Sequence, residues 1–153
     1  MRGVLRVSIE RVDMAADVQA AASWVAVALA TAGYDADFSA ASLWEVDRFF
    51  DDHAPQGRAL VGGLLAEQVG QRLFALGGYV GEVIRRSLGG EWSGDDDDPE
   101  GEVNVQLRLS AGSVVWPVQQ ALQRFSYGSG ESFAAYGAGL GLRVGARPDG
   151  PAS

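Results

Sequence analysis

Residues Leu73 to Trp92 form the stretch LFALGGYVGEVIRRSLGGEW, and this stretch decides the fold. Apolar side chains recur in it every three or four residues, which predicts a helix with a buried face. Glycine interrupts the pattern repeatedly, although each glycine inside a helix costs about 1 kcal/mol relative to alanine. The glycines therefore need a packing reason, and the close approach of a neighbouring helix or sheet provides one.

The same apolar spacing begins well before Leu73. It predicts one long central helix from Arg58 to Leu88, which Gly89 and Gly90 end. Four glycines fall on roughly one side of this predicted helix, namely Gly63, Gly70, Gly77 and Gly81. A structural homo-oligomer packed through that glycine face is one hypothesis for the function.

The chain before the central helix divides into two parts. Residues 1–12 alternate apolar and polar side chains, so we predict an N-terminal strand or leader there. From Asp13 the period becomes helical and continues to the C-capping Gly33. Trp24 and Val27 lie off the main apolar face of this helix, which indicates a helix covered on two sides.

The chain after the central helix changes to strand patterns. Residues 103–110 alternate cleanly and predict a half-buried strand, and residues 113–116 return as its partner. The acidic loop before residue 103 is expected to be a hairpin tip. Helices follow from Pro117 and Glu131, and residues 145–153 are predicted to be a disordered tail.

These patterns predict a mainly helical α+β domain. Residues 13–144 are expected to form a single domain, with a small antiparallel β-meander and a long, glycine-rich helix at its centre. A length of 153 residues suffices for one domain with a sizeable core.

The composition excludes several kinds of chemistry. The chain has no cysteine, which excludes disulfides, thiolate metal sites and cysteine nucleophiles. All twelve basic residues are arginine, so lysine Schiff-base chemistry is excluded as well. No dinucleotide or phosphate-binding glycine motif follows a predicted strand. We therefore expect no cofactor.

The charge is distributed unevenly along the chain. The formal net charge is −8, and six acids lie between Ser93 and Glu102 without a base among them. Nucleic-acid binding is disfavoured, because phosphate contacts need a basic patch. The start lacks a signal-peptide pattern, and the apolar run from Ala20 to Ala32 is shorter than the roughly 20 residues that span a bilayer. We expect a cytoplasmic protein that does not contact membranes.

Glu82 is the strongest catalytic candidate. It interrupts an apolar helical face, and Arg86 follows at the i+4 position that favours an acid–base pair. A buried carboxylate with a shifted pKa can act as a general base, so a small hydrolase or transferase using Glu82 with Tyr79 and Arg86 is a second hypothesis. A structural ion pair is the favoured interpretation, since such pairs perturb pKa values too.

The candidate binding residues lie close to the end of the central helix. Arg85 and Arg86 could receive an anion or an acidic partner surface, although the helix dipole alone favours arginine there. Trp92 closes the segment and is a further candidate binding residue. The alternative interpretation is that Trp92 lies in the hydrophobic core. The acidic run could attract a basic partner, and it contains Asp95, Asp96, Asp97 and Asp98.

Metal binding is not predicted. Pro99 occupies the position of the third ligand in a calcium-loop pattern, so the acidic run does not match that pattern. The single histidine, His53, cannot form the multi-histidine sites that zinc or iron usually needs. We expect His53 to lie at a helix end near solvent.

Three pieces of the chain resemble a known group of proteins. They are Asp37 to Phe49 (DFSAASLWEVDRF), Gly78 to Trp92 (GYVGEVIRRSLGGEW), and Pro117 to Phe125 with Gly130 to Phe133 and Tyr136. In these pieces the chain is similar to uncharacterised small bacterial proteins that are common in actinobacteria. The resemblance covers most of residues 34–140, and it implies a shared fold and no particular activity.

We therefore expect a small non-enzymatic module for binding or regulation that acts through protein–protein contact. The absence of catalytic motifs and the acidic loop, which can steer a basic partner, motivate this expectation.

Overall fold

The computed structural model describes residues 14–55, 58–59, 61, 63–94, 97–98 and 100–147. The predicted class is confirmed: the domain is mainly helical and carries a small antiparallel sheet of three strands. The predicted strand or leader at residues 1–12 lies outside these ranges. Residues 148–153 of the predicted tail also lie outside the described ranges. Gly145, at the start of that predicted tail, is described, and its carbonyl accepts a hydrogen bond from Trp44 Nε1 at 3.1 Å.

Five α-helices and three strands make up the described part of the chain. The helices are α1 (Met14–Thr31), α2 (Leu43–His53), α3 (Val69–Leu88), α4 (Pro117–Tyr127) and α5 (Phe133–Leu140). The strands are β1 (Gly90–Ser93), β2 (Gln106–Leu109) and β3 (Val114–Val115). Short 3₁₀ turns at Ala40–Ser42 and Gly128–Glu131 precede α2 and α5.

Helix α3 lies at the centre of the fold. Every residue from Leu73 to Ile84 is buried, so this helix has no solvent face over three turns. Helix α1 packs on one side of it, α4 on a second side, and the sheet on a third. A helix that is buried all round must present apolar or small residues in every direction. This requirement explains its composition.

The glycines of α3 allow its neighbours to approach. A methyl group at Gly77 would lie 2.6 Å from Cα of Val118 in α4. At Gly78 it would lie 3.0 Å from the Val18 carbonyl oxygen in α1, and at Gly81 it would overlap the Trp92 ring in β1. Each of the three glycines therefore faces a different neighbour.

The central helix is shorter than the sequence predicts. It begins at Val69 rather than Arg58, because Gln68 has a left-handed backbone with φ of 53° that a continuous helix does not allow. Residues 63–68 form turns and bends instead. A hydrogen bond from Arg72 Nη1 to the Leu64 carbonyl ties this segment to the first turns of α3.

The predicted four-glycine face is not continuous. Gly63 lies before the helix, and a methyl group at Gly70 would meet nothing within 4 Å. Gly77 and Gly81 are covered by Val118 and Trp92 of the same chain. A second copy could reach those two positions only by displacing α4 and β1.

The sheet is an antiparallel meander in the order β1–β2–β3. Trp92 pairs with Leu107, and Leu107 pairs with Val115 on its other side, so these three buried side chains lie in one row. The acidic loop connects β1 to β2, as the sequence predicts. Strand β2 is shorter than predicted, because residues 101–104 form turns.

Helix α1 buries one face against α3 and leaves the other uncovered. Val18, Ala22 and Leu29 are buried, and Gly33, at φ of 98°, follows the helix end. Trp24 is 56% exposed and Val27 is 68% exposed. The expectation that a second element covers α1 is therefore wrong for the described part of the chain.

By length and composition, α1 is also the one helix among the described residues that could cross a membrane. Its mean hydropathy is 1.3 over 18 residues. Core helices of proteins that never enter a membrane pass the same test, and the buried face of α1 packs against α3.

The contact at Gly77 can be tested by substitution. We expect Gly77→Ala to lower the free energy of unfolding by roughly 2–3 kcal/mol, because the Val118 backbone cannot move away without displacing α4. Gly70→Ala, in the same helix but with open space around it, should leave stability unchanged or raise it by up to about 1 kcal/mol. Urea unfolding of both variants measures the difference, and equal effects would contradict the packing argument.

Candidate functional site

The Glu82 carboxylate lies inside the domain and is bonded on all sides. Glu82 is 2% exposed to solvent. Trp92 Nε1 donates to Oε2 at 2.7 Å, and Gln19 Nε2 donates to the same oxygen at 3.3 Å. Arg85 donates to both carboxylate oxygens, at 2.7 and 3.0 Å, and Arg86 Nε lies 3.5 Å from Oε1. The carboxylate thus joins α3 to both α1 and β1.

These bonds shift the titration of Glu82. Burial alone would raise the pKa of the carboxyl group, but the hydrogen bonds from Arg85, Trp92 and Gln19 outweigh burial and lower the pKa to about 2. The same contact raises the pKa of Arg85. A carboxylate with such a low pKa is a weak general base at neutral pH.

Tyr79 does not join this cluster. Its hydroxyl lies 2.7 Å from Ser42 Oγ and accepts a hydrogen bond from the Phe38 N–H at 2.9 Å. Burial raises the pKa of Tyr79. Arg86 lies between the two regions, since its guanidinium stacks 3.8 Å from the centre of the Phe38 ring. The predicted trio of Glu82, Tyr79 and Arg86 therefore does not converge on one point.

The acidic loop is described in part. Asp95 and Asp96 lie outside the described residues, and Asp97 and Asp98 lie within them. Asp98 accepts hydrogen bonds from the Glu100 N–H and from Asn104 Nδ2, which lower its pKa. Among the described residues no group of three or more acids and histidines is placed to hold a metal ion.

His53 ends α2 and contacts the segment before α3. The Leu64 N–H donates to its Nδ1 at 3.3 Å, and its Nε2 lies 3.4 Å from the Tyr34 oxygen. Burial and the hydrogen bond to Asp52 raise the pKa of Tyr34 to about 12. His53 thus has a structural place between α2 and residue 64.

A buried polar cluster around Asp47 is absent from the sequence predictions. The Asp47 carboxylate accepts hydrogen bonds from Arg124 Nε, from Ser132 Oγ and from the Phe133 and Ala134 N–H groups at the start of α5. Arg124 is 1% exposed and also bonds Asp51 at 2.7 Å. Negative charge at a helix N-terminus is favourable, so this cluster fixes α5 on α2. Helical spacing places Asp47 beside the buried Val46 and Phe50, and that signal could have found it.

An apolar groove lies beside α1, and we call it the first groove. It has a volume of about 340 Å³ and lies between α1, α2, residue 64 and α3. Trp24, Phe49, Leu64 and Leu76 supply most of its larger apolar side chains. Neither Glu82 nor Tyr79 lines it.

Trp24 also lines a second groove of about 380 Å³. Arg72 lines both grooves, and Glu102 lines the second. Arg72 Nε is shielded from water and has no hydrogen-bond partner among the described residues. None of the ion pairs among the described residues includes Arg72 or Glu102.

The structure therefore groups the predicted site residues in part. Glu82, Arg85, Arg86 and Trp92 come together, but around a buried carboxylate whose oxygens are bonded to Trp92 and to the two arginines. The grooves beside α1 were not predicted. The position of Trp24 and Val27 off the main face of their helix was the available signal.

Comparison with protein-family models, with curated proteins and with solved structures gives no significant match. The resemblance to small actinobacterial proteins stays an expectation.

The role of Glu82 predicts a specific dependence of stability on pH. Its pKa is lower in the folded protein than the ordinary 4.5, so its stabilisation is complete above about pH 4.5 and is lost as the pH falls toward about 2. We expect Glu82→Gln to lower the free energy of unfolding by roughly 3 kcal/mol at pH 7 and by about half as much near pH 3.

Urea unfolding at both pH values measures this effect. Glu91→Gln, at an exposed position in β1, is the matched control and should change stability by less than about 0.5 kcal/mol. A Glu82→Gln variant that loses the same free energy at both pH values would show that the charge of Glu82 is not the cause.

Proposed function

We propose that the protein is a small, non-enzymatic binding module that acts through protein–protein contact at the exposed side of α1. We call this region the α1 surface and define it by Trp24, Val27 and Leu64 together with the two grooves. The exposure of Trp24 and Val27 beside the first groove is the observation that carries the proposal.

The apolar character of this surface supports binding. Val61, Leu64 and Val69 are also exposed, and Leu64 lines the first groove beside Trp24. Contiguous exposed apolar area on a folded domain is typical of interaction sites. Removing such area from water favours association, and the part of this gain that exceeds the loss of translational and rotational freedom appears as affinity.

The form of the grooves supports the same proposal. Tryptophan is enriched among residues that dominate the energy of protein interfaces, and pockets beside such residues receive side chains of the partner. Trp24 lines both grooves, so a partner helix or loop that places a side chain in either groove contacts Trp24.

The geometry around Glu82 disfavours the hydrolase or transferase hypothesis. A general base must reach a substrate proton, but the Glu82 carboxylate is sealed by Trp92, Gln19 and Arg85. Tyr79 is directed to Ser42 instead. The homo-oligomer hypothesis based on glycines is disfavoured too, because Gly77 and Gly81 contact neighbours within the chain.

The proposal can be tested with a photo-reactive phenylalanine analogue at Val27. We expect cross-links to a specific protein in the native host from position 27 and none from position 127, where the exposed Tyr127 is the matched control. The captured protein is then purified, and its affinity for the unmodified chain and for the Val27→Glu variant is measured by calorimetry.

We expect Val27→Glu to weaken that affinity at least tenfold, because it places a charge in an apolar contact, and Tyr127→Glu to leave it unchanged. Both variants should keep the thermal unfolding temperature of the parent chain, since both positions are exposed. Equal cross-linking at the two positions, or equal affinity of the two variants, would contradict the proposal.

A further inference from the structure

We infer that residues 1–13 of the chain itself cover the α1 surface and compete there with the partner protein. The competition rests on the proposed function, whereas the cover itself does not depend on it. The place where these residues join the domain, their apolar pattern and their charge all favour this occupant. We call residues 1–13 the N-terminal segment.

The N-terminal segment joins the domain at one end of the α1 surface. It precedes Met14, the first residue of α1. Trp24 and Val27 follow later in the same helix, roughly 15 and 20 Å from Met14 at a rise of about 1.5 Å per residue. A chain of this length spans up to roughly 40 Å when it is extended. The N-terminal segment is therefore long enough to turn back at Met14 and to pass both side chains.

The sequence of the N-terminal segment suits a surface that is apolar on one side. Leu5, Val7 and Ile9 alternate with polar residues, and this alternation places the three apolar side chains on one side of an extended chain. They extend over roughly 13 Å in that conformation, and burial of that side requires an apolar partner. The α1 surface offers one within reach, since Trp24 is 56% exposed and Val27 is 68% exposed.

Small side chains lie along the path from Met14 to Trp24. Ala16, Ala20 and Ser23 are all exposed on α1. The distance between a helix and an element packed on it depends on the side chains at the contact. Small residues therefore allow the backbone of the N-terminal segment to lie close to the helix.

The charge of the N-terminal segment is opposite to that of its surroundings. The segment contains three arginines and two acids, whereas the whole chain has a formal net charge of −8. Asp17 is exposed on α1 and Glu102 lines the second groove, and neither takes part in an ion pair among the described residues. A methyl group at Gly94, just before the acidic run, would lie 2.9 Å from Met14 Cγ. The arginines are thus attracted to this part of the domain, whereas a second copy of the acidic chain is repelled.

Attachment to the same chain makes the N-terminal segment an effective competitor. Its local concentration at the α1 surface is on the order of millimolar, so weak contacts suffice to populate a covered state. A partner binds only the molecules whose surface is open, and its apparent affinity is reduced in proportion to their fraction. The segment would thus hold the surface closed until the partner replaces it.

Photo-cross-linking in the purified full chain tests the cover. We expect the phenylalanine analogue at position 27 to cross-link to residues 1–13, and the analogue at position 127 not to do so. An equal mixture of isotope-labelled and unlabelled chain shows by mass spectrometry whether both cross-linked peptides come from one molecule.

Substitutions in the N-terminal segment test the proposed contact side. Leu5→Asp/Ile9→Asp should lower the cross-link yield at least about tenfold, because it places two charges in an apolar contact. Ser8→Asp, on the opposite side of the alternation, is the matched control and should leave the yield unchanged. Calorimetry with the protein captured from the host should show that Leu5→Asp/Ile9→Asp binds it at least about threefold more tightly than the parent chain, since more molecules are open.

The outcomes separate the cover from the proposed function. Cross-links that join a labelled to an unlabelled chain would assign the surface to a second copy and overturn the inference. The absence of cross-links to residues 1–13, or an equal yield in Leu5→Asp/Ile9→Asp, overturns it too, and a host protein captured at position 27 then leaves the proposed function standing.

The opposite combination is equally decisive. Cross-links within one molecule, without any captured host protein, establish the cover and overturn the proposed function together with the competition. A captured protein that binds the parent chain and Leu5→Asp/Ile9→Asp with equal affinity overturns the competition alone.

Discussion

The close contact of α3 with its neighbours on three sides is the constraint on which the rest of the structure depends. Gly77 admits the backbone of α4, Gly78 that of α1, and Gly81 the ring of Trp92. Each contact requires the absence of a side chain, so the glycines that weaken α3 as an isolated helix fit it to the centre of the domain. Helix formation here depends on tertiary packing, which commonly outweighs intrinsic propensity.

An enclosed helix with a carboxylate needs donors from its surroundings, and Glu82 receives them from three elements. Gln19 belongs to α1, Trp92 to β1, and the two arginines to α3 itself. The polar network therefore fixes the same neighbours that the glycines admit. A buried carboxylate that is fully bonded stabilises one arrangement of the chain, and the same bonds withhold its lone pairs from a substrate.

The sequence predicted the parts of this arrangement that depend on local spacing. The helical period located most of α3, the i+3 and i+4 spacing paired Glu82 with Arg85 and Arg86, and Pro117 marked the start of α4. The apolar period continues through Val61, Leu64 and Leu65, so it could not reveal the left-handed backbone at Gln68.

Contacts between residues far apart in the sequence could not be predicted for a different reason. Asp47 and Arg124 are 77 positions apart, and nothing in the local pattern of either residue specifies the other.

The composition of α1 is the one feature that the fold itself does not require. A helix at the surface of a domain normally carries charged residues on its outer face, because they cost nothing there and keep the protein soluble. The outer face of α1 instead carries mostly small residues together with Val27 and Trp24, and Asp17 is the one charged residue of the helix. Packing against α3 uses the opposite face, so it cannot account for this choice. A contact that removes the outer face from water does account for it, because charged side chains on that face would have to be desolvated.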